Sequence, residues 1–183
     1  MEKLILGILG EKFAGKDEAA NYLVGTYGAE HFRFSHILDD ILKMLNLEIS
    51  RRNEIDLGLG LRQIFGGQVL GPAIAKKVSE SAKGLIVVNG IRMDEYEVIK
   101  ALGAKIVYIT APAEVRFARY QKRHEKTDDA TMNFESFLKQ EEEATEVNIP
   151  ELGKRADFKV ENTGTLQELY GKVESVLAQI KKA

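Results

Sequence analysis

The sequence contains no cysteine. This absence excludes a disulfide framework, thiol catalysis and the usual zinc sites, and it is compatible with a reducing cytosol. No apolar run approaches the roughly 18 residues that a membrane-spanning helix needs. The apolar run at residues 4–9 is too short and wrongly flanked for a signal peptide. We therefore expect a soluble, cytoplasmic protein without a membrane partner.

An excess of charge of either sign is also lacking. Lys and Arg number 26 against 28 Asp and Glu, which gives a formal net charge of -2. This balance provides no general attraction to nucleic acid or to an anionic membrane, so any basic site must be local. The 183 residues fit one compact domain, 1–183. A monomer and a homodimer both remain open.

Apolar runs alternate with segments of helical periodicity along the whole chain. Short apolar runs predict strands at residues 3–9, 31–35, 84–90, 105–110 and 158–160. Helical spacing predicts helices at 16–24, 37–47, 61–78, 93–101, 112–124, 134–146 and 166–181, with glycines and a proline splitting the third into two pieces. Strands that alternate with helices imply right-handed crossovers and a three-layer α/β/α fold with a parallel sheet.

Residues 10–16 fit the pattern G-x-x-x-x-G-K between the first predicted strand and the first predicted helix. In such a loop the backbone N–H groups turn inward, the helix dipole adds positive charge, and the lysine reaches the β and γ phosphates of a nucleotide. A glycine turn with a surface lysine is the alternative, which the flanking strand and helix disfavour. The pattern predicts a P-loop that binds ATP through Gly10, Lys12, Ala14, Gly15, Lys16, Asp17 and Glu18.

Asp17 occupies the position where Ser or Thr normally offers a hydroxyl group to Mg²⁺. A carboxylate beside a triphosphate is repelled unless a divalent cation lies between them. Asp17 is therefore predicted to help hold Mg²⁺, directly or through water. The alternative is that Asp17 only complements the helix N-terminus, which contributes about 0.3–1 kcal/mol.

Three arginines, Arg116, Arg119 and Arg123, are spaced by three and four residues, which places them on one side of a helix. A polar stretch follows. This combination predicts a mobile lid over about residues 117–135, in which Arg119 and Arg123 close over the phosphates and assist transfer together with Lys16. A solvated helix face is the alternative interpretation.

Arg92 lies just beyond the carboxyl end of a predicted strand, where parallel sheets place their ligands. It is the first candidate for holding an acceptor and for assisting the transfer. The segment of about residues 36–80 is predicted to fold over the acceptor. The acceptor candidates are His36, Asp39, Arg51, Arg62, Gln63, Arg92 and Glu95.

Each acceptor candidate also has a plainer interpretation. Each arginine could equally be a charged surface residue, and Glu95 could be a partner of Arg92. Asp39 and Asp40 open a predicted helix, so capping is their default role, although either is placed to meet an acceptor hydroxyl or a metal-bound water.

Over nearly its whole length the chain resembles the nucleoside/deoxynucleoside monophosphate kinase family of P-loop kinases, with dephospho-CoA kinase as a close relative. Residues 10–17 resemble the G-K-D cradle of the deoxynucleotide kinases, and 62–66 resemble their acceptor segment loosely. Residues 87–104 are similar to their V-R-x-x-x-E…A-L-G strand and helix, and 156–165 to the A-D-x-x-I-x-N-x-G turn that both families place near adenine.

The resemblance implies transfer of the γ-phosphoryl group of ATP to a (deoxy)nucleoside monophosphate, with ATP and Mg²⁺ as cofactors. It also implies backbone contacts to the adenine from Asn162, Gly164 and Thr165. Asn89 departs from the aspartate that many relatives carry after this strand, which weakens a metal role at this position, so Mg²⁺ is expected to rely more on Asp17. Two alternatives remain: phosphorylation of the 3′-hydroxyl of dephospho-CoA, where an aspartate would take the proton, and a regulatory ATPase without a small acceptor.

Overall fold

The structure is a computed structural model that describes residues 3–122, 132–143 and 146–182. Five strands form one sheet in the order β2-β3-β1-β4-β5, and every neighbouring pair is parallel. The strands are β1 Leu4–Leu9, β2 Glu30–Arg33, β3 Leu85–Asn89, β4 Lys105–Thr110 and β5 Phe158–Glu161. The helices are α1 Lys16–Tyr27, α2 Phe34–Met44, α3 Arg51–Phe65, α4 Leu70–Glu80, α5 Met93–Ala101, α6 Ala113–Lys122, α7 Phe134–Lys139, α8 Ile149–Lys154 and α9 Leu166–Lys182.

Strand β1 shows how the two faces of the sheet are covered. Ile5 and Leu9 pack into a cluster with helices α2, α4, α5 and α8, whereas Leu6 and Ile8 pack into a cluster with α1 and α9. Because successive side chains of a strand point to opposite faces, a strand covered on both sides is apolar throughout. The expected three-layer α/β/α fold with a parallel sheet is confirmed.

The register of the strands brings three chain segments to one edge of the sheet. Ile8 of β1 and Arg33 of β2 are both paired with Asn89 of β3. The loop after β1, the end of β2 and the loop after β3 therefore emerge side by side at the carboxyl edge. This edge is where open parallel sheets bind ligands.

The second predicted strand and the third predicted helix have different boundaries in the structure. Strand β2 ends at Arg33, so the expected strand at 31–35 runs too far and helix α2 begins at Phe34. Helix α3 begins at Arg51 rather than at 61, because Ser50 caps it by accepting a hydrogen bond from the Asn53 backbone N–H at 3.3 Å. The expected break after it is confirmed, since α3 ends at Phe65.

The expected helix at 134–146 is also too long. Helix α7 ends at Lys139 and continues as a 3₁₀ turn, Gln140–Glu142. Helix α8 was not predicted from the sequence; its Gly153 lies directly against the ring of Tyr108 in β4. No helix within the described ranges is long and apolar enough to cross a membrane.

Two glycine-to-alanine substitutions test the packing of the helices. Gly153→Ala is expected to lower the free energy of unfolding by about 1–3 kcal/mol, because the new Cβ would lie 2.5 Å from the Tyr108 ring. Gly171→Ala, in the open interior of α9, is expected to raise it by about 1 kcal/mol. Urea unfolding measures both, and equal shifts of the same sign would contradict the described placement of α8.

Candidate active site

The loop at 10–16 lies tightly against neighbouring segments. Gly10 has φ 153° and Gly15 has φ 104°, both in the region that favours glycine. A Cβ atom at Gly10 would overlap the carbonyl oxygen of Ile109, and one at Gly15 would overlap the side-chain amide of Asn162. Both positions therefore require glycine for the backbone to approach this closely.

Asn162 and Arg119 hold the loop from outside. The Asn162 side-chain amide donates to the carbonyl oxygen of Ala14 at 2.8 Å. The Arg119 guanidinium donates to the Asn162 carbonyl oxygen at 2.9 Å and to that of Phe13 at 3.3 Å. The loop is thus fixed to the β5–α9 turn and to helix α6 before any ligand is bound.

Phe13 sits at the tip of the loop in a left-handed conformation, with φ 62°. Such a conformation is unfavourable for a bulky residue and persists where the surroundings impose it. The Phe13 ring packs edge-on against Tyr120 of α6 at 5.4 Å between centroids, and against Phe137 of α7 at 5.9 Å. These aromatic contacts connect the loop to both helices.

Lys16 begins helix α1 and faces the inside of the loop. Its ammonium group donates to the carbonyl oxygen of Glu11 at 2.6 Å. Burial, and then the nearby positive charge of Arg92, lower the pKa of Lys16 to about 8. A lysine whose charge is this poorly solvated favours an anionic ligand.

Asp17 lies at the carboxyl edge between the ends of β2 and β3. The Asn89 side-chain amide donates to its carboxylate at 2.7 Å, and the Arg33 guanidinium lies 3.7 Å from the same oxygen. The buried Asn89 side-chain oxygen has no hydrogen-bond partner within the described part of the chain. This free acceptor would be satisfied by a cation or by a water bound to one.

These two oxygen donors fit Mg²⁺. The described ranges contain no cluster of three carboxylate or histidine side chains that suits a metal. Beside nucleotides, however, Mg²⁺ takes one or two carboxylates and completes its shell with phosphate oxygens and water. The Asp17 carboxylate matches that set, and the Asn89 side-chain oxygen adds a further oxygen donor beside it.

A cavity of about 360 Å³ opens in front of the loop, between the carboxyl edge and helices α2 and α3. Its lining includes the apolar side chains of Phe34, Leu38, Ile55 and Leu59. It also includes six basic side chains, namely Lys12, Lys16, Arg33, Arg51, Arg62 and Arg92, and four acidic ones, namely Asp17, Glu54, Glu143 and Glu146. The cavity combines an excess of basic groups with apolar surface.

Buried carboxylates orient two of the arginines. Glu95 is 0 % exposed and accepts from the Arg62 guanidinium at 2.6 Å and from the Arg92 backbone N–H at 3.2 Å. Glu146 is 7 % exposed and accepts from the Arg92 guanidinium at 2.8 Å. A second guanidinium nitrogen of Arg92 is buried without a partner within the described residues, so it remains available to a ligand.

The structure brings together many of the residues that the sequence singled out. The predicted residues on the cavity wall are Lys12, Lys16, Asp17, Arg51, Arg62 and Arg92. Gly10, Ala14 and Gly15 belong to the loop behind them. The cavity thus joins the predicted phosphate loop to part of the predicted acceptor set.

Other predicted residues lie elsewhere. Glu18 and Gln63 are exposed on α1 and α3. Thr165 caps α9 and donates through its backbone N–H to Glu168 at 2.7 Å, with Gly164 beside it. Arg123 lies outside the described residues, together with residues 124–131 of the predicted lid.

His36 and Asp39 line a second cavity, of about 300 Å³, and do not line the first. Helix α2 presents Phe34 and Leu38 to the first cavity and His36, Asp39 and Asp40 to the second. Helical periodicity accounts for this separation, since residues one or two positions apart do not face the same side.

Several residues of the first cavity were not predicted from the sequence, and three of them pair with predicted residues: Arg33, Glu143 and Glu146. Arg33 ends strand β2, so the rule that selected Arg92 after β3 would also have selected it. Glu143 and Glu146 also line this cavity. They follow α7 in an irregular segment, and no local pattern relates this segment to the P-loop.

The fold of the chain is the P-loop kinase fold. A shikimate kinase from Bacteroides thetaiotaomicron aligns with a TM-score of 0.65 at 11 % identity, over 96 % of this chain and 98 % of that one. A gluconokinase from Sinorhizobium meliloti 1021 aligns with a TM-score of 0.60 at 14 % identity, over 97 % and 93 %. At these identities the likeness shows the fold alone, and the nucleoside monophosphate kinase type stays a prediction.

Curated relatives also align with nearly the whole of this chain. A UPF0200/UPF0201 protein of Archaeoglobus fulgidus is 27 % identical in an alignment of 188 positions that covers 100 % of this chain and 57 % of the relative. A UPF0200 protein of Sulfurisphaera tokodaii is 26 % identical in an alignment of 180 positions that covers 96 % of this chain and 97 % of the relative. The chain therefore spans little more than half of the first relative. No family model matches.

Two arginines of α6 are expected to differ in their contribution to stability. Arg116 is 4 % exposed, donates to the Ala111 carbonyl oxygen at 2.8 Å and pairs with Glu141, so Arg116→Met should lower the free energy of unfolding by about 2 kcal/mol. Arg119→Met should lower it by about 1 kcal/mol or less, because Arg119 is only half-buried. Chemical denaturation measures both losses. If Arg119→Met lost as much stability as Arg116→Met, the expectation that burial makes Arg116 the more important of the two for stability would be contradicted.

Proposed function

We propose that the protein is an ATP-dependent phosphotransferase that moves the γ-phosphoryl group of ATP onto the phosphate of a (deoxy)nucleoside monophosphate. One observation carries the proposal: six basic side chains and several apolar ones line a single cavity that includes the P-loop lysine. Positive charge suits two phosphorylated ligands that meet end to end. The apolar side chains suit a planar base.

In this proposal the loop N–H groups and Lys16 bind the β and γ phosphates of ATP. Arg62 and Arg92 bind the acceptor phosphate in the orientation that Glu95 and Glu146 impose. Phosphoryl transfer depends on positioning and on positive charge around the oxygens that gain charge, and these residues supply both. Arg119 and Arg123 add charge from α6 and the segment after it.

Mg²⁺ held beside Asp17 and Asn89 would neutralise charge on the phosphate oxygens. The Asn89 amide oxygen, buried and without a partner in the described ranges, supports this assignment. The Asp17 carboxylate would otherwise repel the triphosphate.

The choice between a phosphate and a hydroxyl acceptor rests on the need for a base. A phosphate acceptor is already anionic and needs none, whereas a hydroxyl acceptor gives up a proton. Asp39 and Asp40, the expected bases, line the second cavity and not the first, which supports a phosphate acceptor. A hydroxyl acceptor is the second candidate, because Asp17 lines the first cavity and a carboxylate there is able to take a proton.

An acceptor panel in one ADP-release assay tests the proposal. The panel contains nucleoside and deoxynucleoside monophosphates, dephospho-CoA, shikimate and gluconate. We expect one monophosphate to stimulate ADP release by about 100-fold or more, and Lys16→Met to abolish the stimulation with the fold retained. Stimulation only by a hydroxyl compound would favour the second candidate. ATP hydrolysis that no acceptor stimulates would favour a regulatory ATPase.

Asp39 and Arg92 provide a matched comparison. Asp39→Asn should leave kcat/KM for the acceptor within about twofold of wild type, because Asp39 lies on the second cavity. Arg92→Met should lower it by about 100-fold, equivalent to about 2.7 kcal/mol of transition-state stabilisation. Steady-state kinetics measures both. A large loss for Asp39→Asn together with a small one for Arg92→Met would contradict the assignment of the acceptor to the first cavity.

A further inference from the structure

Two basic residues from distant parts of the chain converge on one carboxylate at the first cavity. The Lys12 ammonium group, in the P-loop, lies 2.9 Å from the Glu143 carboxylate. The Arg51 guanidinium, at the start of α3, lies 3.9 Å from the same oxygen. All three side chains line the cavity.

The electrostatics of Lys12 and Arg51 call for an anion between them. The Lys12 side chain is only 14 % exposed. Burial, and then the positive charge of Arg51, lower the pKa of Lys12, whereas Glu143 and Glu146 oppose that shift. Two cations this close, one of them sheltered from water, are stabilised only by a negative charge. Glu143 supplies it in this structure.

Glu143 is held more loosely than Glu95 and Glu146, although Asp94, which lies 3.5 Å from the Arg62 guanidinium, is 48 % exposed. The Glu143 side chain is 41 % exposed, whereas Glu95 and Glu146 are buried. Glu143 is the exposed partner of its ion pair with Lys12, so water and salt compete for its carboxylate and weaken the pair. An anionic ligand in the cavity is therefore able to replace Glu143 at little cost.

We infer that Lys12 and Arg51 form an anion subsite that joins the P-loop to α3, and that the Glu143 carboxylate occupies the position of a phosphate oxygen of the bound ligand. The identity of the ligand group, a phosphate of ATP or of the phosphorylated acceptor, rests on the proposed function. Glu143 and this phosphate compete for the same two cations. Glu143 therefore sets how tightly the cavity binds phosphate.

The substitution Glu143→Gln tests the inference, since it keeps the size of the side chain and removes the competing charge. Isothermal titration with ATP, with AMP and with inorganic tripolyphosphate measures binding directly. We expect at least one of these ligands to bind about three- to fivefold more tightly to the variant. A gain with ATP and tripolyphosphate identifies the phosphate as belonging to ATP, and a gain with AMP alone identifies it as the acceptor's.

Glu142→Gln is the matched control. It removes the same charge one residue away, and Glu142 does not line the cavity. We expect its affinities to stay within about 1.5-fold of wild type. In a Lys12→Met/Arg51→Met background, Glu143→Gln should give no gain. Unchanged or weaker binding of all three ligands to Glu143→Gln, or an equal gain in Glu142→Gln, would overturn the inference.

The binding measurements separate this inference from the proposed reaction. If Glu143→Gln binds phosphate more tightly but no acceptor is phosphorylated, the subsite stands and the proposed transfer fails. If the transfer occurs but Glu143→Gln does not bind phosphate more tightly, the proposed transfer stands and the subsite fails.

Discussion

The crowding of positive charge at the carboxyl edge of the sheet is the constraint on which the rest of the site depends. Burial, and then the nearby positive charge of Arg92, lower the pKa of Lys16 to about 8. Such an arrangement is unstable without negative charge. The protein supplies that charge through carboxylates from several elements: Asp17 of α1, Glu95 of α5, and Glu143 and Glu146 from the segment that follows α7.

These carboxylates differ in a way that the chemistry of the site uses. Glu95 and Glu146 are buried, and they fix the orientation of Arg62 and Arg92. Glu143 is exposed and exchangeable. Neutralisation is therefore permanent where an arginine must be positioned and temporary where a ligand must enter. In this account the basic side chains of the cavity are already in place for phosphate, and the unfavourable free energy of bringing them together is offset by the folding of the protein, before the ligand binds.

Sequence reasoning succeeded where the determinants are local. The buried strands are apolar throughout, and the P-loop is a contiguous pattern between a strand and a helix, so both could be predicted. The start of α3 could not, because Leu57, Leu59 and Leu61 recur at every second position, and the two residues between them, Gly58 and Gly60, are poor helix formers. The partners of Lys12 and Arg92 could not either, since Glu143 and Glu146 reach them only through tertiary packing. The separation of His36 and Asp39 from the first cavity follows from which side of α2 each occupies, and a motif does not specify this.

The most direct measurement of the central claim is the chemical form of the transferred phosphorus. Phosphorus-31 NMR of ATP, Mg²⁺, the protein and a nucleoside monophosphate follows the γ-phosphoryl group into its product. The account predicts that this signal is replaced by the terminal phosphate of a nucleoside diphosphate, bonded through a phosphoanhydride. Appearance of the γ-phosphorus only as inorganic phosphate would contradict it, as would formation of a phosphate ester on a hydroxyl group.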